Sequence, residues 1–99
     1  LGDVYKRQII ARVDVTNPEK YKNYQALSPG AIEKAGGRFL VRGGETFTLE
    51  GEEENRRIVV LEFNTTEQAQ AFYDSEEYKN AKKERKGAAE AQFIVVDGV

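Results

Sequence analysis

The sequence predicts an α+β fold, a four-stranded antiparallel sheet with its helices on one face. Three observations carry that expectation. Val59-Val60-Leu61-Glu62-Phe63 and Phe93-Ile94-Val95-Val96 are apolar, β-branched runs of strand length. Ile9 to Val15 alternates as a half-buried strand does. Two helical stretches lie between strands at matching places in the two halves of the chain. The resulting order is the βαββαβ unit of ferredoxin-like domains, with strands expected side by side as 4-1-3-2.

Leu1 to Arg7 does not join this pattern and is expected to be a non-native extension, leaving one domain over residues 8–97. The first strand runs from about Gln8 to Val15. Asn17 before Pro18 suits a helix N-cap followed by proline at the first helical position. Tyr21, Tyr24, Leu27, Ala31, Ile32 and Ala35 recur near helical spacing and mark a buried stripe. Pro29 lacks the N–H of the helix ladder, so a break or kink near Leu27 and a restart capped by Ser28 are predicted. Gly36-Gly37 ends the helix.

Arg38 to Arg42 is the second strand, Gly43-Gly44 a bend, and Thr46 to Glu50 is predicted to continue as strand. Gly51 to Asn55 reads as an acidic hairpin tip before a third strand from Arg56 or Arg57 to Phe63. Thr65 and Gln68 have capping-box spacing ahead of a short helix that buries Ala69, Phe72 and Tyr73. Ser75 caps a further helix, with Tyr78, Ala81 and Arg85 on one face and Gly87 as its stop. The last strand spans about Ala91 to Val96.

Composition narrows the chemistry. Fifteen basic and seventeen acidic residues leave a net charge of −2, which makes no case for nucleic acid. There is no cysteine, hence no disulfide, thiolate nucleophile or thiolate metal site. There is no histidine, the commonest metal ligand and general base. Carboxylates, lysine, arginine and tyrosine remain. No apolar run approaches the ~20 residues of a membrane span, and a cytoplasmic location is the expectation. No metal or cofactor is expected.

Alternation assigns residues to faces. Ile9, Ala11, Val13 and Val15 belong under the helices, and Ile10, Arg12 and Asp14 on the opposite, open face. Glu62 joins Ile58 and Val60, and Arg42 joins Arg38 and Leu40. The first and third strands are neighbours in this fold, so Arg12 and Glu62 are expected to meet. An open face of aliphatics with a few charges suits packing against a second copy, and a homodimer through it is expected. A solvated face whose aliphatics serve strand propensity is the alternative.

The best candidate constellation is Arg12, Asp14, Arg42 and Glu62. Two guanidinium groups can hold a carboxylate or enolate bidentately while a carboxylate acts as base. The same four residues also fit a cross-strand ion-pair network with no ligand. Tyr73 or Tyr78 is the tyrosine expected nearest a ligand, although tyrosines at this spacing also read as core residues with a wet tip. The lysines of the late helix read as a solvated face, and Glu50 with Glu52 to Glu54 as a solvated loop tip.

Several segments resemble the family catalogued as domain of unknown function 1330. They are Ile10 to Thr16 with Pro18-Glu19-Lys20-Tyr21, Gly36 to Gly44, Val60 to Phe63, and Phe72 to Tyr78. The likeness runs from about Gln8 to Val96. Gln8 or Ile9 stands where the family usually has an aromatic, and Glu76 where it has proline. The family is similar to the dimeric α+β barrels, whose members include cofactor-independent monooxygenases, muconolactone isomerases and haem-degrading enzymes. The resemblance implies the fold and a dimer. Together with the residues it points to a small protein binding an anionic metabolite or a partner, the alternative being a cofactor-independent isomerase or monooxygenase acting on a small, partly apolar acid.

Overall fold

A computed structural model describes residues 6–99. Its elements are β1 (Arg7–Val15), α1 (Pro18–Lys34), β2 (Arg38–Arg42), β3 (Arg57–Phe63), α2 (Thr66–Asp74), α3 (Glu76–Arg85) and β4 (Ala89–Asp97). The four strands form one antiparallel sheet in the order β2-β3-β1-β4, as the chain pattern predicts. The expectation for Leu1 to Tyr5 lies outside the described residues. Arg7, set aside with them by sequence, belongs to β1 and pairs with Phe63 on one side and Asp97 on the other.

Polar caps place the helices. The Asn17 side chain accepts from the Lys20 N–H at 3.1 Å, with Pro18 opening α1. Thr65 accepts from the Gln68 N–H at 3.0 Å, and Gln68 answers with its side-chain oxygen on the Asn64 N–H. Ser75 serves two helices at once. Its hydroxyl donates to the last carbonyls of α2 at Phe72 and accepts from the Tyr78 N–H that opens α3. Helix α1 closes with Gly37 N–H on the Ile32 carbonyl and Gly36 N–H on Glu33, a Schellman pair that needs the positive φ of 85° at Gly36.

Two expectations are corrected here. Helix α1 runs unbroken through Pro29, and Ser28 is a buried residue inside it. Proline withdraws only one hydrogen bond, to the Gln25 carbonyl, and its fixed φ suits a helix. Tyr24 on one side and Ala31 and Ile32 on the other hold both halves against the same core. The second correction concerns Thr46 to Glu50, which is not a strand. Strand β3 begins only at Arg57, so this segment has no strand to pair with. It projects as an arm, with Phe47 83% and Leu49 89% exposed.

The core lies between the sheet and the helices. Ile9, Ala11, Val13, Leu61 and Phe63 come from the sheet, and Tyr21, Tyr24, Ile32, Phe72 and Tyr78 from the helices. The opposite face is uncovered. There Ile10 stands between Val60 and Ile94 in register, with Ile58, Val41 and Val96 around them.

Candidate functional site

A β-bulge in β2 decides which arginines share a face. Arg38 pairs with Glu62 and Phe39 with Leu61, but Val41 pairs with Val60 and Arg42 with Val59. Leu40 is the extra residue. Beyond it every side chain changes sides. Arg42 therefore lies on the helix side with Phe39, its guanidinium carbon 4.4 Å from the Phe39 ring centre, and not with Arg38 and Leu40.

The open-face candidates separate as well. Arg12 stands opposite Ile58 while Glu62 stands opposite Gln8, four positions along β1. Glu62 accepts from Arg38 Nε at 2.9 Å. Arg12 reaches Glu54, in the loop before β3, at 3.5 Å and Gln92 at 3.3 Å. Arg56 hydrogen bonds hold the Glu54 carboxyl down at about 2, with Arg12 adding a smaller pull. Asp14 faces Glu90 across β4. The expected meeting of Arg12 and Glu62 is absent because the register places them apart, and each has its own partner.

The helix side holds a different arrangement. Arg57 follows the alternation of Val59, Leu61 and Phe63 and points under α1, opposite Val13. Arg42 and Arg57 line one small cavity together with Tyr21, Tyr24, Gln25 and Phe39. The enclosed space is about 30 Å³, room for one water. Arg57 Nε is buried and has no hydrogen-bond partner. Gly43, at φ 69°, lets the guanidinium lie against the backbone, where any Cβ would overlap it. Burial pushes the Tyr21 hydroxyl up from its ordinary value and Tyr24 adds to this, against a smaller opposing pull from Arg57. Among the described residues no carboxylate lines the cavity or forms an ion pair with Arg42 or Arg57.

Behind it runs a chain of phenols. Tyr24 and Tyr78 hydroxyls are 2.7 Å apart, and Arg85 Nη1 donates to the Tyr78 hydroxyl at 2.9 Å. Tyr78 is fully buried, and its pKa is raised, first by that burial and then by Tyr24. Tyr73 is half-buried, with Lys82 Nζ 4.1 Å above its ring. Of the six candidates from sequence, Arg42 alone lines this cavity; Tyr78 lies behind it, and Arg12, Asp14 and Glu62 stay on the open face. Sequence reasoning passed over Arg57. The signal was its place at i−2 of Val59, which alternation puts under the helices.

Among the described residues no group of three or more His, Cys, Asp or Glu is placed to hold a metal, and no helix is long and apolar enough to cross a membrane.

Sheet order, one-sided helices and an enclosed helix–sheet cavity define a ferredoxin-like α+β domain. Residues 6–99 match the family described as a domain of unknown function, DUF1330, and the chain belongs to it. Similar solved structures share the fold. A protein of unknown function from Rhodopseudomonas palustris is 19% identical, with TM-score 0.75 over 92% of this chain and 80% of that one. SnoaB, a cofactor-independent oxygenase from Streptomyces nogalater, is 10% identical, with TM-score 0.67 over 92% and 90%. An ethyl tert-butyl ether D family protein from Bacillus halodurans is 12% identical, with TM-score 0.57 over 94% and 97%. Among curated proteins none matches the sequence.

Proposed function

We propose that this protein is a homodimeric binder of a small, partly apolar anion, whose acid group takes the one-water space between Arg42 and Arg57 in the helix–sheet cavity while its body lies at the mouth. The buried, unpartnered Nε of Arg57 carries the reading. A buried polar group without a partner costs about 1–3 kcal/mol, and a carboxylate or enolate oxygen would satisfy it with a charge-assisted bond. The aromatic lining, Phe39 and Tyr21 above all, suits an apolar body. Entry requires Arg42, the exposed side chain of the lining, to swing from the mouth.

The enzymatic alternative, a cofactor-independent oxygenase or isomerase, draws support from what SnoaB is called. It needs a base to make the substrate anion. The described lining offers no carboxylate, and the raised pKa values of Tyr21 and Tyr24 keep both phenols protonated near neutral pH. Binding of a preformed anion is therefore the better-supported reading.

The dimer rests on the open face. Ile10, Ile58, Val60, Val41, Ile94 and Val96 form one aliphatic patch, and the arm carries Phe47 and Leu49 beyond the sheet edge. Pairing two such faces leaves the helix-side cavity of each copy accessible.

A thermal-shift screen of small carboxylates and enolates, each beside its neutral analogue, tests the binding reading. Anions alone should raise the melting temperature. Equal shifts from the neutral analogues, or none from any anion, would refute it.

A further inference from the structure

A second recess lies on the helix side, at the β4 edge of the sheet. Phe93, Val95 and Ile9 form its floor, Ala69 and Tyr73 one wall, and Arg85 its end. Its volume is about 330 Å³, at the low end of the roughly 300–1,000 Å³ of small-molecule sites. The helices leave this floor partly bare, and Val95 is 50% exposed.

Arg85 distinguishes the recess from a bare apolar patch. Its polar partners are phenols, Tyr78 and Tyr24, and its guanidinium carbon lies 5.1 Å from the Phe93 ring centre. Among the described residues it makes no ion pair. A guanidinium offers five N–H donors in a fork that matches a carboxylate, and a half-buried one gains most from such a partner. Lys82, stacked on Tyr73, adds a second positive charge beside the wall. An apolar floor ending in an unneutralised guanidinium fits a molecule of the same polarity, a chain or ring with an acid at one end.

We infer that this recess binds a medium-length monocarboxylate, its carboxylate on Arg85 and its apolar body along Phe93, Val95 and Ile9. The site is separate from the Arg42–Arg57 cavity and takes a longer molecule. The phenol pair Tyr24–Tyr78 lies between the two.

Octanoate and octanol, titrated calorimetrically into the intact protein and four variants, test the inference. Octanoate should bind saturably, and octanol at least about tenfold more weakly, the cost of roughly 1.4 kcal/mol in lost charge-assisted bonding. Arg85→Gln should weaken octanoate by a similar factor. Val95→Trp fills the recess at an exposed strand position and should block binding even if Arg85→Gln folds poorly. Arg57→Met should leave octanoate affinity unchanged, which separates this site from the proposed anion cavity. Equal affinity for octanol, survival of binding in Val95→Trp, loss in Arg57→Met, or no saturable binding would each overturn the inference. Binding that emerges only in Phe47→Ser would also overturn it, because the recess would then hold the arm of a second copy.

Discussion

Arg57 and Arg85 are cations placed against aromatic walls, with no ion pair to a carboxylate among the described residues, and they set the chemistry of the helix side. Tyr78 holds the centre of that chemistry, its hydroxyl shared between Tyr24 and Arg85. Tyr78→Phe deletes one oxygen and leaves two polar groups short of a partner. Unfolding in urea should show a loss of about 1–3 kcal/mol with an unchanged slope. A loss below a few tenths would mean that water replaces the hydroxyl freely. Burial raises Tyr21, Tyr24 and Tyr78 above the ordinary value of 10.0. The unfolded chain then releases these protons first, so their contribution to stability is complete below about pH 10 and lost as pH rises beyond it. Phenolate absorbance should rise in a cooperative step together with unfolding. A smooth titration of every tyrosine near pH 10 in a still-folded protein would contradict the burial argument.

Elements were legible wherever one local rule decided them. Asn17-Pro18, Thr65 with Gln68, and Ser75 each cap the helix that their spacing announces. Ser75→Ala should cost about 0.5–2 kcal/mol, because it leaves the Tyr78 N–H without its partner, while the Phe72 carbonyl keeps only the backbone N–H of residue 75. Chemical denaturation measures this, and an unchanged midpoint would show α2 and α3 to be held by packing alone. Legibility failed where tertiary context outweighed the local rule. Core contacts on both sides of Pro29 carry α1 across a residue that locally ends helices. Leu40 carries no mark of a bulge, so alternation read Arg42 onto the wrong face. The aromatic and β-branched residues of Thr46 to Glu50 have strand propensity but no strand to pair with. The site suffered most, since two of its arginines hang on one bulge and on the first residue of β3.

At the scale of the molecule, the helices cover most of one face of the sheet and leave the other face open. That asymmetry motivates the dimer. Light scattering should return twice the 11.2 kDa chain mass, and Ile94→Lys, at the centre of the aliphatic patch opposite Ile10, should halve it. A wild-type monomer would remove the argument. The proposed anion cavity lies on the other side of the sheet, and binding there should survive that substitution. Its most direct test is calorimetric titration of the strongest anion from the thermal-shift screen into wild type, Arg57→Met and Arg12→Ala. One site per subunit is predicted, weakened at least about tenfold in Arg57→Met and unchanged in Arg12→Ala. Undiminished binding in Arg57→Met with loss in Arg12→Ala would place the anion on the open face and contradict the account.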